Sequence, residues 1–474
     1  MFLTYLGALK SWLCFPVLAA FGPNLWSIRI PAVAGGAITI WLFFLLLERV
    51  HSRRAAWVGT TLLATDTTFV LTTCFDWGPV MLQHLLLTAA MLLGVAFHRQ
   101  RRNVLLAGCF FCVGLALWDK ALSLWILSAM GIALLLFPRE LRGLFTFRRA
   151  GIAAASLVIG AFPLLVYNVK HHFETFRSNA HFDTSEIPHK IHIMRTTIDG
   201  DGLLGYLVNW PSSPAPRDAV SGMALAAAKL HAAAGDRLTN WMLPAWIAAG
   251  ILSIWLLATP VRRTLLFCFI AFMLGWAQMV LTKGAGGSAH HTILLWPLPE
   301  LFLGVVFAEA SRRMGRAGAP LLAAAICVLT AGNLLNLNQY LYQFVRFGGT
   351  KFWTDAMDAL PGELRGTHAP NICIIDWGVY DSLLALTRGE FPVSFVSGPF
   401  ADPVETDDDR QQAQDLLSQP GTLFVSHTDD QQIFIGVNAR LERLARELGY
   451  HKSAVVTWPD RNGRPVFEGL TYVK

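Results

Sequence analysis

The sequence predicts an α-helical polytopic membrane protein of about ten spans with an α/β domain at its C-terminal end. Three observations predict it. Of the 474 residues, 54% are hydrophobic and only 15% are charged, with 16 Trp and 31 Phe. Soluble domains carry about 25% charged residues. Ten apolar runs, about 29–48, 55–73, 78–97, 103–118, 121–137, 150–168, 241–259, 264–282, 292–309 and 319–337, approach the roughly 20 residues a bilayer-spanning helix needs. After about residue 340 the composition turns ordinary, and strand-like and helix-like periods alternate. The same composition excludes a disordered chain, a collagen and a small disulfide scaffold.

The flanks of the runs orient them. Alternate loops hold Arg49, Arg53 and Arg54; Arg99, Arg101 and Arg102; Arg139, Arg142, Arg148 and Arg149; Arg262 and Arg263; and Arg312, Arg313 and Arg316. The short loops on the other side offer only Lys120 and Lys283. By the positive-inside rule the arginine side is cytoplasmic. This predicts a multi-pass protein of the cell (inner, cytoplasmic) membrane. The net charge of +6 therefore reports topology, and no nucleic-acid partner is expected.

Three segments are then expected outside. Residues 1–28 form a surface loop and helix, because the apolar run Ser11 to Phe21 is too short to cross and lacks the features of a signal peptide. Residues 29–338 form the transmembrane domain, with a long outer loop over 169–240. Residues 339–474 form an extracytoplasmic α/β domain.

The outer loop is rich in histidine (His171, His172, His181, His189, His192). The spacing is irregular and no HExxH occurs, so it reads as solvated loop rather than metal site. The Ala-rich stretch 218–235 reads as a helix on the membrane surface. In the tail, strands are expected at 371–376, 391–396, 422–425, 453–458 and 466–473, and helices at 381–386, 404–418 and 432–448. The tail has no GxGxxG, P-loop or GxSxG, and Asp407, Asp408 and Asp409 read as a solvated helix start. Six of the seven cysteines sit in or beside apolar stretches, where Cys109 and Cys112 read as packing, and Cys373 stands alone in the tail.

Ionisable groups at or near membrane depth are costly, which makes them functional candidates. They collect at the outer ends of the spans. Asp76 lies in Cys-Phe-Asp-Trp-Gly-Pro, Asp119 and Lys120 in Leu-Trp-Asp-Lys-Ala, and Lys283, His290 and His291 in the eighth-to-ninth turn, while Lys10 and Arg29 flank the first surface helix. Carboxylates and cations on one face of an apolar bundle suit a reaction on a phosphorylated lipid, whose tail lies among helices while its phosphate meets Lys or Arg. Simpler structural readings compete. Asp76 can start a helix, Lys120 can snorkel to the interface, and Asp66 reads as a helix-terminal or buried hydrogen-bonded residue.

Several of these stretches resemble the C-type (GT-C) membrane glycosyltransferases, in particular the family of the protein O-mannosyltransferases and the aminoarabinose transferases of lipid A. Tyr5-Leu-Gly-Ala-Leu-Lys10-Ser-Trp-Leu followed by Phe21-Gly-Pro-Asn-Leu-Trp-Ser-Ile-Arg29-Ile-Pro31 resembles the family's first outer loop, with Ser-Trp where "KPP" has two prolines. Phe75-Asp-Trp-Gly-Pro-Val matches the second acidic motif. Gly114-Leu-Ala-Leu-Trp-Asp-Lys120 resembles the segment whose lysine contacts the donor phosphate. His290-His-Thr-Ile-Leu-Leu-Trp-Pro297 sits where "RY.lP.P" is usual. The likeness covers roughly residues 5–310.

The resemblance implies inverting transfer of a sugar from a polyprenyl-phosphate carrier to an acceptor hydroxyl on the outer face of the membrane. It assigns Lys10, Arg29 and Lys120 to the donor phosphate, with His290 and His291 helping, and Asp76 to the acceptor proton. The implied partners are a polyprenyl-phosphate sugar, membrane lipid, and a glycan, lipid or protein acceptor. No metal-binding set is expected; a divalent ion bridging the phosphate and Asp76 is compatible with this arrangement and not required by it. The family also has a first span and an Asp-Glu pair upstream of the stretch matching Tyr5, which a chain starting at Met1 lacks. With that span the count becomes eleven and the N-terminus cytoplasmic. The rival classes are a lipid or solute transporter, which would carry an internal repeat, and a non-catalytic scaffold that binds lipid-linked sugar.

Overall fold

The computed structural model describes residues 4–144, 146–210, 216–219, 222–401, 404 and 406–474. Met1 and its two neighbours, the start of the expected surface segment, lie outside the described residues. The chain divides into two compact units, Met1–Gly202 with Ala234–Leu337, and Leu203–Ala233 with Asn338–Lys474. The expected divisions change accordingly. Residues 4–28 lie in the helical unit, and the segment 169–240 divides between the units after Gly202.

The first unit is helical: α1 (Leu9–Phe21), α2 (Leu25–Val50), α3 (Arg53–Thr65), α4 (Thr67–Cys74), α5 (Val80–Gln100), α6 (Asn103–Asp119), α7 (Leu124–Leu135), α8 (Phe147–Lys170), α9 (Ile187–Asp199), α10 (Met242–Leu256), α11 (Arg262–Val280), α12 (Leu298–Arg313) and, as far as Leu337, α13 (Gly318–Phe347). Every expected apolar run falls on a helix. Among the described residues five helices are long and apolar enough to cross a bilayer, and a sixth span results if Ala289–Leu295 and α12, bent by 48°, are counted as one. The remaining apolar helices are shorter. The run 55–73 is interrupted at Asp66, whose carboxylate caps α4 by accepting the Phe69 N–H at 2.7 Å.

Burial follows from these sequences. α12 is buried on nearly every face, against Phe43, Leu46, Leu47, Leu62 and Leu63 of α2 and α3. α6 and α8 touch backbone to backbone, since a Cβ on Gly114 would lie 2.4 Å from the Leu157 carbonyl and one on Gly160 2.5 Å from that of Phe111. Small residues that admit such contact are how helices associate without a hydrophobic drive between them. Large apolar side chains stay exposed along these helices, among them Trp41, Val104, Ile159, Phe162, Ile251 and Phe269, as a lipid-facing surface requires.

The segment 169–240 is not the solvated loop its polarity predicted. α9 buries Lys190, Met194, Thr197 and Ile198, and Thr197 Oγ1 lies 2.6 Å from Thr292 Oγ1. The Lys190 ammonium is fully buried and donates to the Thr282 carbonyl at 2.7 Å and that of Val280 at 3.3 Å. A cation can be buried here because the end of α11 supplies its acceptors.

The second unit contains a five-stranded sheet of order β2-β1-β3-β5-β4, formed by β1 (Asn371–Ile374), β2 (Val393–Phe395), β3 (Thr422–His427), β4 (His451–Pro459) and β5 (Pro465–Val473). β1 pairs in parallel with β2 and β3, and β5 runs antiparallel to both β3 and β4. Alternate residues of β1 face opposite ways. Ile372 and Ile374 pack on α14 (Ala356–Gly366) and α15 (Tyr380–Thr387), while Cys373 packs with residues of α16 (Asp407–Ser418) and α17 (Val437–Glu447). The run Asp407–Asp409 is the first turn of α16, closed by a Thr406–Asp409 capping box. The Ala-rich stretch forms the helix Gly222–Ala234.

Candidate active site

The α4–α5 turn is built by Asp76-Trp-Gly-Pro. Asp76 adopts φ 54° and Gly78 φ 58°, left-handed conformations that Asp and Gly tolerate best. The Asp76 N–H donates to the Thr73 carbonyl at 3.0 Å, closing α4. This turn presents Asp76 to α1, where the Lys10 ammonium meets Asp76 Oδ1 at 2.5 Å and the Gly78 carbonyl at 2.9 Å. The other Asp76 oxygen takes no hydrogen bond from the described residues.

The chain before α1 is tied down by its own backbone. Gly7 donates to the Asp119 carbonyl at 3.0 Å, and Ala121 donates to that of Tyr5 at 2.9 Å, with Leu6 facing Lys120 in an antiparallel bridge. A Cβ on Gly7 would fall 1.9 Å from the Trp118 carbonyl. This strap seats α1 against the α6–α7 turn, with Trp12 edge-on to Trp118.

Asp119 and Lys120 occupy that turn. Gln83 of α5 donates to Asp119 Oδ2 and to the Ala116 carbonyl, both at 2.9 Å, while Asp119 Oδ1 is buried without a partner. Lys120 is 2% exposed, and its ammonium meets no hydrogen-bond acceptor among the described residues. Burial draws its pKa down to about 8, against the pull of the Asp119 carboxylate. A buried cation lacking a hydrogen-bonded counter-charge is costly to hold and is ready to take an anionic ligand.

The other expected residues stand around this centre. Arg29, on the first turns of α2, donates to the Cys74 carbonyl at 2.8 Å and lies 5.1 Å over the Phe75 ring. It thereby braces the turn from the side and reaches Asp76 only through space. His290 stacks on Trp77 with centroids 5.9 Å apart and sits 4.4 Å from the His291 ring. Both histidines feel the charge of Lys120. The structure thus brings Lys10 and Asp76 into contact, sets Lys120 beside Asp119, and places Arg29, His290 and His291 at the margin. Sequence reasoning passed over Gln83, although an amide one turn into an apolar helix is a readable signal. It also missed Trp77 and the backbone strap. Glu300, fully buried in α12 with neither carboxylate oxygen hydrogen-bonded among the described residues, was overlooked as well. Among the described residues no three His, Cys, Asp or Glu side chains converge to hold a metal ion.

Residues 8–167 match the family described as dolichyl-phosphate-mannose-protein mannosyltransferase. Over nearly its whole length the chain is similar in fold to ArnT from Cupriavidus metallidurans bound to undecaprenyl phosphate. That match has a TM-score of 0.60 at 14% identity and covers 98% of this chain and 88% of that one. The apo state of the same protein gives 0.56, again at 14% identity with 98% and 88% covered. The Archaeoglobus fulgidus oligosaccharyltransferase in complex with Zn and sulfate gives 0.50 at 13% identity, covering 96% of this chain and 60% of that chain. No curated protein matches the chain. The fold is similar to that of ArnT, in keeping with the C-type fold that the resemblance of the motifs implied. The matched stretch holds Lys10, Arg29, Asp76 and Lys120, while His290 and His291 lie beyond it.

Proposed function

We propose that the chain transfers a sugar from a polyprenyl-phosphate carrier to an acceptor hydroxyl at the outer face of the cytoplasmic membrane, with inversion at the sugar carbon. The observation that carries this reading is Lys120, a buried lysine whose ammonium meets no acceptor among the described residues, set beside Asp119 and, like the Lys10–Asp76 pair, at the helix ends opposite the arginine-bearing loops. The similarity to ArnT bound to undecaprenyl phosphate supports a lipid-linked donor.

In the transfer, the acceptor oxygen attacks the anomeric carbon as the bond from that carbon to the phosphate oxygen breaks. The acceptor proton passes to the open oxygen of Asp76. The departing phosphate gains negative charge, which Lys120 and Lys10 offset. Phosphate is already a good leaving group, so no acid need protonate it. Arg29 holds the Asp76 turn, and Gln83 holds Asp119 beside Lys120. The C-terminal unit stands on the outer side in this topology. Purified chain in proteoliposomes, given radiolabelled polyprenyl-phosphate sugars and extracted envelope acceptors, tests the reading. Transfer that is lost in Lys120→Ala and Asp76→Asn supports it, and transfer unchanged in both variants overturns these assignments.

A further inference from the structure

We propose that the arginine-bearing ends of α5, α6 and α8 form a binding site for an anionic phospholipid, with a headgroup of two phosphodiesters as its preferred ligand. The proposal rests on these helices being spans and is independent of the transfer reading. Two loops distant in sequence meet there. Arg99, Arg101 and Arg102 belong to the end of α5 and its turn into α6, and Arg148 and Arg149 to the first turn of α8. The Arg149 guanidinium lies 5.4 Å over the ring of Phe97, in the last turn of α5. That contact gathers the five arginines around one helix end.

The described residues do not neutralise them. None of the five pairs with a carboxylate among those residues, and neither α6 nor α8 carries an acid in its first turn. The N-terminal end of a helix is itself partly positive, so Arg102, Arg148 and Arg149 stand against that field as well as against one another. Like charges gathered at this density call for an anion from outside the chain.

Two of the guanidinium groups are fixed in advance. Arg149 donates from Nη1 to the Gly143 carbonyl at 2.7 Å and to that of Leu144 at 3.4 Å, which leaves Nε and Nη2 for a ligand. Arg99 donates from Nη2 to the Arg49 carbonyl, which leaves Nε and Nη1. The side chains of Arg101, Arg102 and Arg148 make no hydrogen bond with the described residues. A guanidinium fork takes two oxygens of one phosphate at once. With forks on two separate loops, each loop can hold one phosphate, so a two-phosphate headgroup engages both where a single phosphate engages one.

The surroundings suit a lipid rather than a soluble anion. Phe147, next to Arg148, is wholly exposed, and Val104, two residues after Arg102, is 64% exposed. Farther along the same two helices, Phe111, Val158 and Ile159 are exposed as well. Free phosphate makes no use of such a surface, whereas acyl chains cover it. Basic groups clustered at the ends of spans on one side of a membrane are where anionic headgroups collect.

Native mass spectrometry of the full chain, titrated with cardiolipin, phosphatidylglycerol or phosphatidylcholine, tests the site without any donor lipid. Cardiolipin should bind about tenfold more tightly than phosphatidylglycerol, and phosphatidylcholine more weakly than either. Cardiolipin affinity should fall about tenfold in the double variant Arg101→Gln, Arg102→Gln and in Arg148→Gln, Arg149→Gln. It should stay unchanged in Arg262→Gln, Arg263→Gln, which removes the same charge from another loop. Arg148→Lys, Arg149→Lys keeps the charge that orients the helices and should still cost about threefold, because an ammonium lacks the fork. Helical circular dichroism checks that each variant is folded. Cardiolipin binding no tighter than phosphatidylglycerol, affinity unmoved in the Gln variants, an equal loss in the Arg262, Arg263 control, or displacement by inorganic phosphate at equal concentration would overturn the inference.

Discussion

The ammonium of Lys10 lies 2.5 Å from the Asp76 carboxylate across sixty-six positions of sequence. A charged pair at this distance couples the surface helix α1 to the α4–α5 turn. In the reaction proposed above, the group that receives the acceptor proton and a group that faces the phosphate therefore hold each other in place.

The two residues should act as one unit. Asp76→Asn should lower kcat by about 10²–10⁴, the usual contribution of a general base. Lys10→Met should mainly raise the KM for the donor. The double variant should be less impaired than the product of the two, by a coupling of about 0.5–3 kcal/mol. Initial rates in proteoliposomes measure all three, and strictly multiplicative losses would separate the residues.

Lys120 should make the proposed reaction sensitive to alkali. Its pKa is drawn down to about 8 by burial, so the residue is cationic below that pH and progressively neutral above it. The donor KM should rise between pH 7.5 and 9. Lys120→Arg, whose guanidinium keeps its charge throughout, should flatten that rise in a KM-against-pH profile. A rise of equal steepness in the Arg variant assigns the titration to another group.

Gly7→Ala tests the strap. The added methyl would stand 1.9 Å from the Trp118 carbonyl, so the Gly7–Asp119 and Ala121–Tyr5 bonds must open. We expect a loss of about 1–3 kcal/mol in local stability, the range for overpacked positions, together with weaker donor binding. Hydrogen exchange of peptides over 5–8 and 119–123 reads the first effect, and a donor titration the second.

In the second unit, Asp376 after β1 accepts from His427 Nδ1 at 2.8 Å and from the N–H groups of Ile433 and Phe434 at 3.0 and 2.9 Å. Burial opposes its ionisation, but these donors hold its carboxyl below the ordinary carboxylate range. A depressed folded-state pKa contributes stability that is present above the unfolded value, about 3.9, and lost as pH falls through the folded one. The loop 429–436 should therefore open first below about pH 4. Asp376→Asn should open it at neutral pH, at a cost of about 1.5–3 kcal/mol, as seen by exchange at Ile433 and Phe434.

Cys74 is exposed at the end of α4 and lies near the guanidinium of Arg29. In a variant that keeps only this cysteine, a membrane-impermeant maleimide should label it in intact spheroplasts. A cysteine introduced at Arg101 should react only after permeabilisation. The reverse pattern would invert the proposed topology.

How far the sequence foretold this arrangement depends on the kind of group. Lys10, Asp76 and Lys120 were legible because a charge among apolar neighbours demands a reason. The five strands of the second unit were legible from alternation bounded by turns. Gln83 stands out as an amide among the apolar residues of α5, but nothing in the sequence pairs it with Asp119, thirty-six positions away. The strap was invisible because its bonds come from backbone groups that every residue carries. The polar composition of 169–240 misled, since Lys190 finds carbonyl acceptors at the end of α11 that no local pattern announces. The run 55–73 reads as one span by its high average hydropathy, while Asp66 within it was legible as a helix-terminal or buried hydrogen-bonded residue, and it is both, capping α4 at the break.

The strap has one further consequence, for the spacing of the chain rather than its chemistry. Because Tyr5 and Gly7 are anchored through their main chains, the angular setting of α1 is counted from that anchor. An α-helix turns about 100° per residue. Inserting or deleting one residue at position 8 would swing Lys10 about a quarter of a turn away from Asp76 while leaving every side chain in the segment intact. Apart from Gly7 and Lys10, the segment from Tyr5 through the first turn of α1 should therefore accept exchanges of residue type far more readily than any change of length.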